Sequence, residues 1–167
     1  MGNQAILGQA GSDGKLLLYS FNGSFSLLSE FDEFECSDED KPRMCLSLDW
    51  SSRVHSSQTP EIAVSHNTGH ISRIGFQSNS SLQCINSWKA HDFEAWIAAY
   101  NYHDPCVLFT GGDDALMKAW DDRISGDNRP IFTSRYCCSS YKLTSVSDIT
   151  RLVSVLYKCI QQWNTSL

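Results

Sequence analysis

The chain has 167 residues, of which 41% are hydrophobic and 19% charged, so it is long enough to form one domain with a packed core. Its net charge of -6 excludes non-specific nucleic-acid binding, which needs a basic surface. Seven of the 19 acidic residues lie between Glu30 and Asp40, which leaves 12 acids against 13 lysines and arginines. We predict that this acidic run, residues 30–40, is a solvated loop; a docking site for a basic partner is the alternative.

Targeting and metal-binding signals are weak. No run approaches the roughly 20 apolar residues that span a bilayer, and the start lacks the basic region of a signal peptide. We therefore expect a cytoplasmic protein that does not bind membranes. Seven cysteines occur without a Cys-x-x-Cys pair, which argues against a disulfide framework or a zinc site. His66 and His70 have the spacing of a helical metal site, but turn-forming residues separate them, so we expect no metal there.

Three segments follow one plan, in which a polar turn precedes a strand that ends on a large apolar residue. They are Gly11–Tyr19, His66–Ile74 and Gly112–Trp120. Their last residues are 55 and 46 positions apart, and WD-repeat blades are about 40–45 residues long. The longer first interval contains the acidic run. The repeat predicts an all-β fold built from WD-repeat propeller blades.

The segments between these turns complete the predicted blades. Met44–Trp50 alternates as an inner strand, and Leu82–Trp88 is typical of an outer strand. Glu94–Asn101 is Ala-rich and could form a helix, but its place in the repeat favours an inner strand. Strand formers at Val107–Thr110 and Leu116–Trp120 flank a predicted turn of two glycines and two aspartates.

Four residues in the last repeat match the polar positions of a WD-repeat blade. His91 precedes an inner strand, Thr110 lies in the second strand, Asp114 in the turn, and Trp120 ends the third strand. A satisfied hydrogen-bond chain of this type makes a blade rigid. We predict that this tetrad is structural. The alternative, a hydrolase triad made of Thr110, His91 and Asp114, has the right residue types.

Two longer runs are more specific than a Trp-Asp repeat. They are SWKAHDFEAWIAAYN, Ser87–Asn101, and FTGGDDALMKAWDDR, Phe109–Arg123. Both resemble the diphthine methyl ester hydrolase family, WD-repeat proteins of diphthamide biosynthesis. The resemblance covers roughly residues 4–135. It includes CLSLDW, Cys45–Trp50, and PIFTSR, Pro130–Arg135, in the family's order and spacing.

The resemblance implies hydrolysis of a protein methyl ester. Family members remove the methyl ester from over-methylated diphthine on a histidine of translation elongation factor 2, which would be the partner, and no cofactor is implied. This reaction needs an activated water or nucleophile. Glu94 and His91 are the catalytic candidates, and Trp96 is the candidate for a substrate-facing aromatic, with packing as its alternative role. A WD-repeat protein-interaction scaffold without enzymatic activity is the alternative function.

The resemblance ends after Arg135. Residues 136–167 contain no repeat turn and no match to the family, so we predict a divergent tail. About two to three blades of four-stranded antiparallel sheet precede this tail, too few to close a propeller ring. We therefore expect a truncated or alternative form, and we expect the family activity in full-length relatives rather than in this chain.

Overall fold

The computed structural model describes residues 5–32, 34, 42–51, 59–77, 81–124 and 128–135. Within these ranges all regular structure is β-strand, so no helix there could cross a membrane. The strands are β1 Ala5–Ala10, β2 Leu16–Phe21, β3 Phe25–Phe31, β4 Cys45–Trp50, β5 Ile62–His66, β6 His70–Phe76, β7 Leu82–Lys89, β8 Ala95–Tyr100, β9 Val107–Gly112, β10 Leu116–Asp121 and β11 Phe132–Arg135.

These strands form three antiparallel sheets, each a meander of neighbours in sequence. Blade 1 consists of β1, β2 and β3, blade 2 of β4 to β7, and blade 3 of β8 to β11. The predicted all-β class and partial WD-repeat propeller are therefore confirmed. Three strands are described in blade 1 and four in each of blades 2 and 3.

The predicted inner and outer strands are confirmed with small shifts in their ends. The Ala-rich run forms β8, so packing in the blade overrides its helix propensity. The predicted turn at Gly111–Asp114 is wrong by two residues, since Gly111 and Gly112 belong to β9. The acidic run begins inside β3, where Glu30 pairs with Lys15, rather than in a loop. Of its other members, Asp32 follows β3, and Glu33 and residues 35–40 lie outside the described residues.

One backbone feature fixes the repeat. The turn that leads into β2, β6 or β10 contains one residue with a positive φ in each blade: Gly14 at 79°, Gly69 at 80° and Ala115 at 57°. Tyr19, Ile74 and Trp120 each follow five residues later. The three segments predicted to be equivalent therefore share one turn, and β1, β5 and β9 occupy one position in the repeat.

Two apolar cores lie between successive blades. Leu16 and Leu18 of blade 1 pack with Ile62, Val64 and Ile74 of blade 2, and all five are fully buried. The second core joins blades 2 and 3. In it the rings of Trp88 and Trp120 meet edge to face with centroids 5.4 Å apart. Burial of large side chains on both faces of blade 2 makes it the centre of the described fold.

Polar contacts also join blades 2 and 3. The N–H groups of Ala98 and Tyr100 on β8 donate to Ser47 Oγ at 3.0 Å and to Asp49 Oδ2 at 2.8 Å on β4. Side chains of one inner strand thus satisfy the free edge of the next. Since buried backbone donors need partners, these two contacts fix the register between the blades.

The chain divides into two compact units, residues 1–135 and 136–167. The second unit lies outside the described residues. Its predicted character as a divergent tail stays a prediction.

Ala115 is a suitable position for a stabilising substitution. Its φ of 57° is costly for a residue with a Cβ atom, and glycine occupies the equivalent place in blades 1 and 2. We expect Ala115→Gly to raise the free energy of unfolding by about 0.5–1 kcal/mol. Glycine avoids the energetic cost of a left-handed backbone, and this gain is reduced by the larger conformational entropy that glycine loses on folding. Urea denaturation measures the change. Gly69→Ala is the opposite control, because a Cβ there would collide with the carbonyl oxygens of His91 and Phe93. A destabilised Ala115→Gly protein would contradict the expectation.

Candidate functional site

The predicted site residues meet at one edge of blade 3, where the chain enters β8 and where the turn between β9 and β10 lies. We call the exposed part of this region the blade 3 edge and define it by Asp92, Phe93, Glu94, Trp96 and Asp113. Phe93 is 64% exposed, while Glu94 and Trp96 are half-buried. The tetrad lies directly beneath it.

The tetrad forms an unbroken chain of hydrogen bonds. Trp120 Nε1 donates to Thr110 Oγ1 at 2.9 Å, and Thr110 Oγ1 lies 2.8 Å from His91 Nε2. His91 Nδ1 lies 2.9 Å from both carboxylate oxygens of Asp114. With the ring proton on Nδ1, His91 donates to Asp114 and accepts the hydroxyl proton of Thr110. Every polar atom of the tetrad side chains then has a partner.

The hydrogen-bond distances among Thr110, His91 and Asp114 match those of a hydrolase triad, but the burial of these side chains does not. Thr110 is fully buried and His91 is 1% exposed, so the hydroxyl has no path to a substrate. Burial of the ring also lowers the pKa of His91, against the opposing effect of the Asp114 carboxylate. The imidazole is therefore neutral and fixed in place. This arrangement supports the structural role proposed for the tetrad and gives no support to the triad.

Asp114 organises the turn as well as the imidazole. Its carboxylate accepts the N–H of Leu116 at 3.1 Å and lies 3.4 Å from the N–H of Asp92. Lys118 is held nearby, donating to the carbonyl oxygen of Ala90. One carboxylate thus connects the β9–β10 turn to the segment that leads into β8.

Gly112 makes room for the ring, a role that the sequence did not reveal. A Cβ atom at this position would lie 2.7 Å from His91 Cγ and 2.8 Å from the carbonyl oxygen of Glu94. In blade 2 the equivalent residue, three before the positive-φ position, is His66. Blade 2 therefore places an imidazole on the strand where blade 3 leaves a space for one.

His66 is the centre of a second buried polar network. Its Nε2 lies 2.9 Å from Ser72 Oγ, which lies 3.1 Å from Ser87 Oγ, and the edge of its ring meets Phe34. The sequence did not predict this network: it placed His66 at the start of the second repeat segment and in a metal spacing with His70, whose Nδ1 contacts Thr68 Oγ1. The described residues contain no cluster of three or more His, Cys, Asp or Glu side chains that could hold a metal ion.

Trp96 is tied to the β9–β10 turn. Its Nε1 donates to Asp113 Oδ1 at 2.7 Å, which places a carboxylate beside a half-buried indole ring. An indole face next to negative charge attracts cations. The arrangement suits an alkylammonium group that approaches the blade 3 edge from solvent.

Glu94 has a fixed backbone and a less constrained carboxylate. Its carbonyl oxygen accepts the N–H of Asp113 at 2.9 Å, which holds the residue against the turn. Within the described part of the chain, the carboxylate of Glu94 makes no hydrogen bond or ion pair. A half-exposed carboxylate of this kind can accept a proton from water at the blade 3 edge.

A shallow pocket that is open to solvent lies between the outer parts of blades 2 and 3. Arg73 reaches into it, but Glu61 Oε2 at 2.7 Å and Asp122 Oδ2 at 2.8 Å already neutralise its guanidinium. The pocket is therefore mainly a junction between blades and contains none of the predicted catalytic residues.

The chain is similar to several curated proteins named diphthine methyltransferase. It is 41% identical to the human protein over 97 residues, which is 55% of this chain and 21% of that protein. It is 39% identical to the mouse protein over 104 residues, 59% of this chain and 21% of that protein. The Dictyostelium discoideum homologue is 30% identical over 171 aligned positions, 95% of this chain and 45% of that protein.

The chain is a relative of the diphthine methyltransferases. It spans between a fifth and a half of the length of these three relatives. The family resemblance expected from the sequence is confirmed, although the relatives' name refers to methyl transfer and not to ester hydrolysis. No protein-family model matches the chain.

The fold is similar to that of a solved WD-repeat propeller. The crystal structure of Chaetomium thermophilum Sqt1 aligns with a TM-score of 0.57 over 78% of this chain and 33% of that one. The identity is 18%, so this likeness concerns the fold alone.

Removal of the Asp114 carboxylate tests the structural role of the tetrad. We expect Asp114→Ala to lower the free energy of unfolding by roughly 1–3 kcal/mol, because His91 Nδ1 is left buried without a partner. Urea denaturation measures the change. Asp113→Ala is the matched control, since the neighbouring exposed carboxylate holds only Trp96. Equal stabilities of the two variants would contradict a structural tetrad.

Acid should destabilise the fold through His66. Burial lowers the pKa of His66 to about 3, and the charge of Arg43 acts in the same direction. The neutral ring stabilises the fold fully above the unfolded pKa of about 6.5, and this contribution is lost as the pH falls towards the folded pKa. By about pH 4 the loss from His66 alone should reach about 3 kcal/mol.

Urea denaturation of the natural chain and of His66→Gln, at about pH 7 and about pH 4, measures this effect. The variant keeps the carboxylates and His91, so their titration is common to both proteins. We expect His66→Gln to lose less stability on acidification. Equal losses in the two proteins would show that His66 does not resist protonation in the fold.

Proposed function

We propose that the protein to which this chain belongs removes the methyl ester from methylated diphthine on translation elongation factor 2. The similarity to diphthine methyltransferases supports the substrate, since their name specifies diphthine. The observation that carries the proposal is the adjacency of Trp96, Asp113 and Glu94 at the blade 3 edge.

In this proposal Trp96 and Asp113 bind the trimethylammonium group of the substrate. A quaternary ammonium cannot donate hydrogen bonds, so an aromatic face and a nearby carboxylate are its natural partners. The indole N–H is occupied by Asp113 at 2.7 Å, which keeps the ring in one orientation. The ammonium groups of Lys89 and Lys118 reach the backbone carbonyl oxygens of Thr68 and Ala90, and Lys118 Nζ also lies 3.9 Å from Asp114 Oδ2. Among the described residues neither lysine pairs with Asp113.

Glu94 would then act as the general base. Its carboxylate takes a proton from a water molecule, the water oxygen bonds to the ester carbonyl carbon, and the C–O bond to the methoxy group breaks. The methoxy oxygen receives the proton, so methanol leaves and a carboxylic acid remains, which ionises at neutral pH. Because His91 is neutral, buried and bonded at both nitrogens, it positions this edge and does not exchange protons.

The relatives' name leaves one chemical alternative, transfer of a methyl group onto diphthine. The two reactions run in opposite directions on the same carboxylate and are separated by their products. Ester hydrolysis lowers the mass of the modified histidine by one methylene unit and releases methanol, whereas methyl transfer raises it by the same amount.

Complementation tests this proposal. In cells lacking the gene, we expect mass spectrometry of elongation factor 2 to show accumulated methylated diphthine. The gene restored with Glu94→Gln should hydrolyse the ester about 10²–10⁴-fold more slowly, the usual contribution of a general base, with an unchanged melting temperature. Asp92→Asn is the matched control, a carboxylate on the same exposed edge that the mechanism does not use.

Two results would overturn the proposal. Normal diphthamide in cells without the gene would exclude the substrate. Full activity of Glu94→Gln would exclude the assigned base. A WD-repeat scaffold without enzymatic activity would then explain the exposed blade 3 edge better. Among the described residues, no side chain is hydrogen-bonded to the Glu94 carboxylate, as one would be in a preorganised catalytic pair.

A further inference from the structure

The pocket between the outer parts of blades 2 and 3 contains a buried hydrogen-bond donor that lacks an acceptor. Trp88 lines this pocket from β7 and is 7% exposed. Its Nε1 is buried and has no hydrogen-bond partner among the described residues. Buried polar groups in folded proteins are almost always paired. The indole N–H of Trp88 therefore requires an acceptor from outside the described part of the chain.

The surroundings of the Trp88 ring indicate the side from which this acceptor comes. Trp120, whose ring meets that of Trp88 edge to face, donates its own N–H to Thr110 Oγ1 at 2.9 Å. The rest of the second core around Trp88 is apolar and includes Ile71 and Leu108. Because the core offers no free acceptor, the acceptor reaches the Trp88 N–H from the pocket.

Asn86 provides a complementary group at the rim of the same pocket. It is half-buried and donates from Nδ2 to Asn128 Oδ1 at 3.0 Å. Among the described residues its own carbonyl oxygen accepts no hydrogen bond. Asn86 and Trp88 lie two residues apart in β7, so their side chains leave one face of the strand about 7 Å apart. One planar group with an acceptor and a donor can bridge this distance.

Charge and polarity limit what the pocket can bind. Its charged lining residues are two arginines and two aspartates, Arg73, Arg129, Asp121 and Asp122, so their formal charges cancel. A charged ligand therefore gains no net attraction there. A bound water needs two to four polar partners, whereas the groups packed around the Trp88 ring are apolar. A neutral group that combines an acceptor, a donor and apolar atoms fits these surroundings best.

We propose that this pocket binds the side chain of a glutamine in a partner protein. The carboxamide oxygen accepts the N–H of Trp88, and the carboxamide NH₂ group donates to Asn86 Oδ1. The two methylene groups of the glutamine contact the apolar ring of Tyr100, which also lines the pocket. The site shares no residue with the blade 3 edge, so it is a protein-recognition site that is separate from the proposed ester hydrolysis.

Three capped amino acids are the probes: N-acetyl-glutamine methylamide and its methionine and glutamate counterparts. They share one main chain and nearly one side-chain length, but methionine lacks the carboxamide and glutamate adds a charge. Nuclear magnetic resonance titration of the isotope-labelled natural chain follows the indole N–H signals. We expect the glutamine probe to move the Trp88 indole proton downfield. It should bind at least about tenfold more tightly than the other two, which corresponds to two hydrogen bonds of ordinary net strength.

Variants of the chain test each of the two contacts. Trp88→Phe removes the N–H but keeps an aromatic ring, and binding of the glutamine probe should fall about fivefold, the loss of one hydrogen bond. Trp50→Phe is the matched control, because Trp50 stacks on Phe76 beside the first core, and it should bind normally. Asn86→Ala removes the rim acceptor and should narrow the preference for glutamine over methionine. Circular dichroism checks that the variants keep the natural fold.

Four results would overturn the proposal. They are equal binding of the three probes, undiminished binding of the glutamine probe to a folded Trp88→Phe chain, an unmoved Trp88 indole signal at saturating probe, and a long-lived water on the Trp88 N–H that the probe does not displace. None of these outcomes depends on Glu94, so this site and the proposed activity are tested separately.

Discussion

The burial of the His91 imidazole is the constraint on which blade 3 depends. An imidazole that is 1% exposed needs a partner at each nitrogen, and Thr110 and Asp114 provide them at 2.8 and 2.9 Å. Because these partners come from β9 and from the following turn, the segment before β8 is fixed to the hairpin. Gly112 has to lack a side chain for the ring to fit. The positions of Glu94 and Trp96 at the solvent edge follow from that fit.

The contact between inner strands extends the same principle from one blade to the next. The inner strand β8 has two N–H groups that its own sheet cannot use, and side chains of the previous inner strand, β4, accept them. Ser47 and Asp49 do so for β8 at 3.0 and 2.8 Å. This contact is directional, so the alignment of blade 3 depends on acceptors placed in register on blade 2. Apolar cores give the blades their cohesion, while these hydrogen bonds determine how they are aligned.

The repeat was visible in the sequence because its signals are local. A positive-φ turn, a strand and a large apolar residue lie within nine positions, and the tetrad spans His91 to Trp120. The contacts that sequence reasoning missed join distant residues: Ser47 with Ala98, and Arg73 with Asp122. His66 was missed for another reason. It occupies the strand position of Gly112, so its network does not follow the blade 3 pattern. Only the comparison of the turns shows that the two positions correspond.

The tetrad also shows why distances alone do not identify a catalytic centre. Thr110, His91 and Asp114 have the separations of a hydrolase triad, yet the hydroxyl is inaccessible and also accepts the Trp120 N–H. A buried network in which every hydrogen bond is satisfied is rigid. Catalysis instead needs a group with spare hydrogen-bonding capacity at a surface that a substrate can reach. On blade 3 these properties are divided between two layers. The buried tetrad fixes the position of the segment before β8 relative to the β9–β10 turn. The layer above it, at the solvent edge, contains Glu94 and the Trp96–Asp113 pair, which are the groups that can act on a ligand.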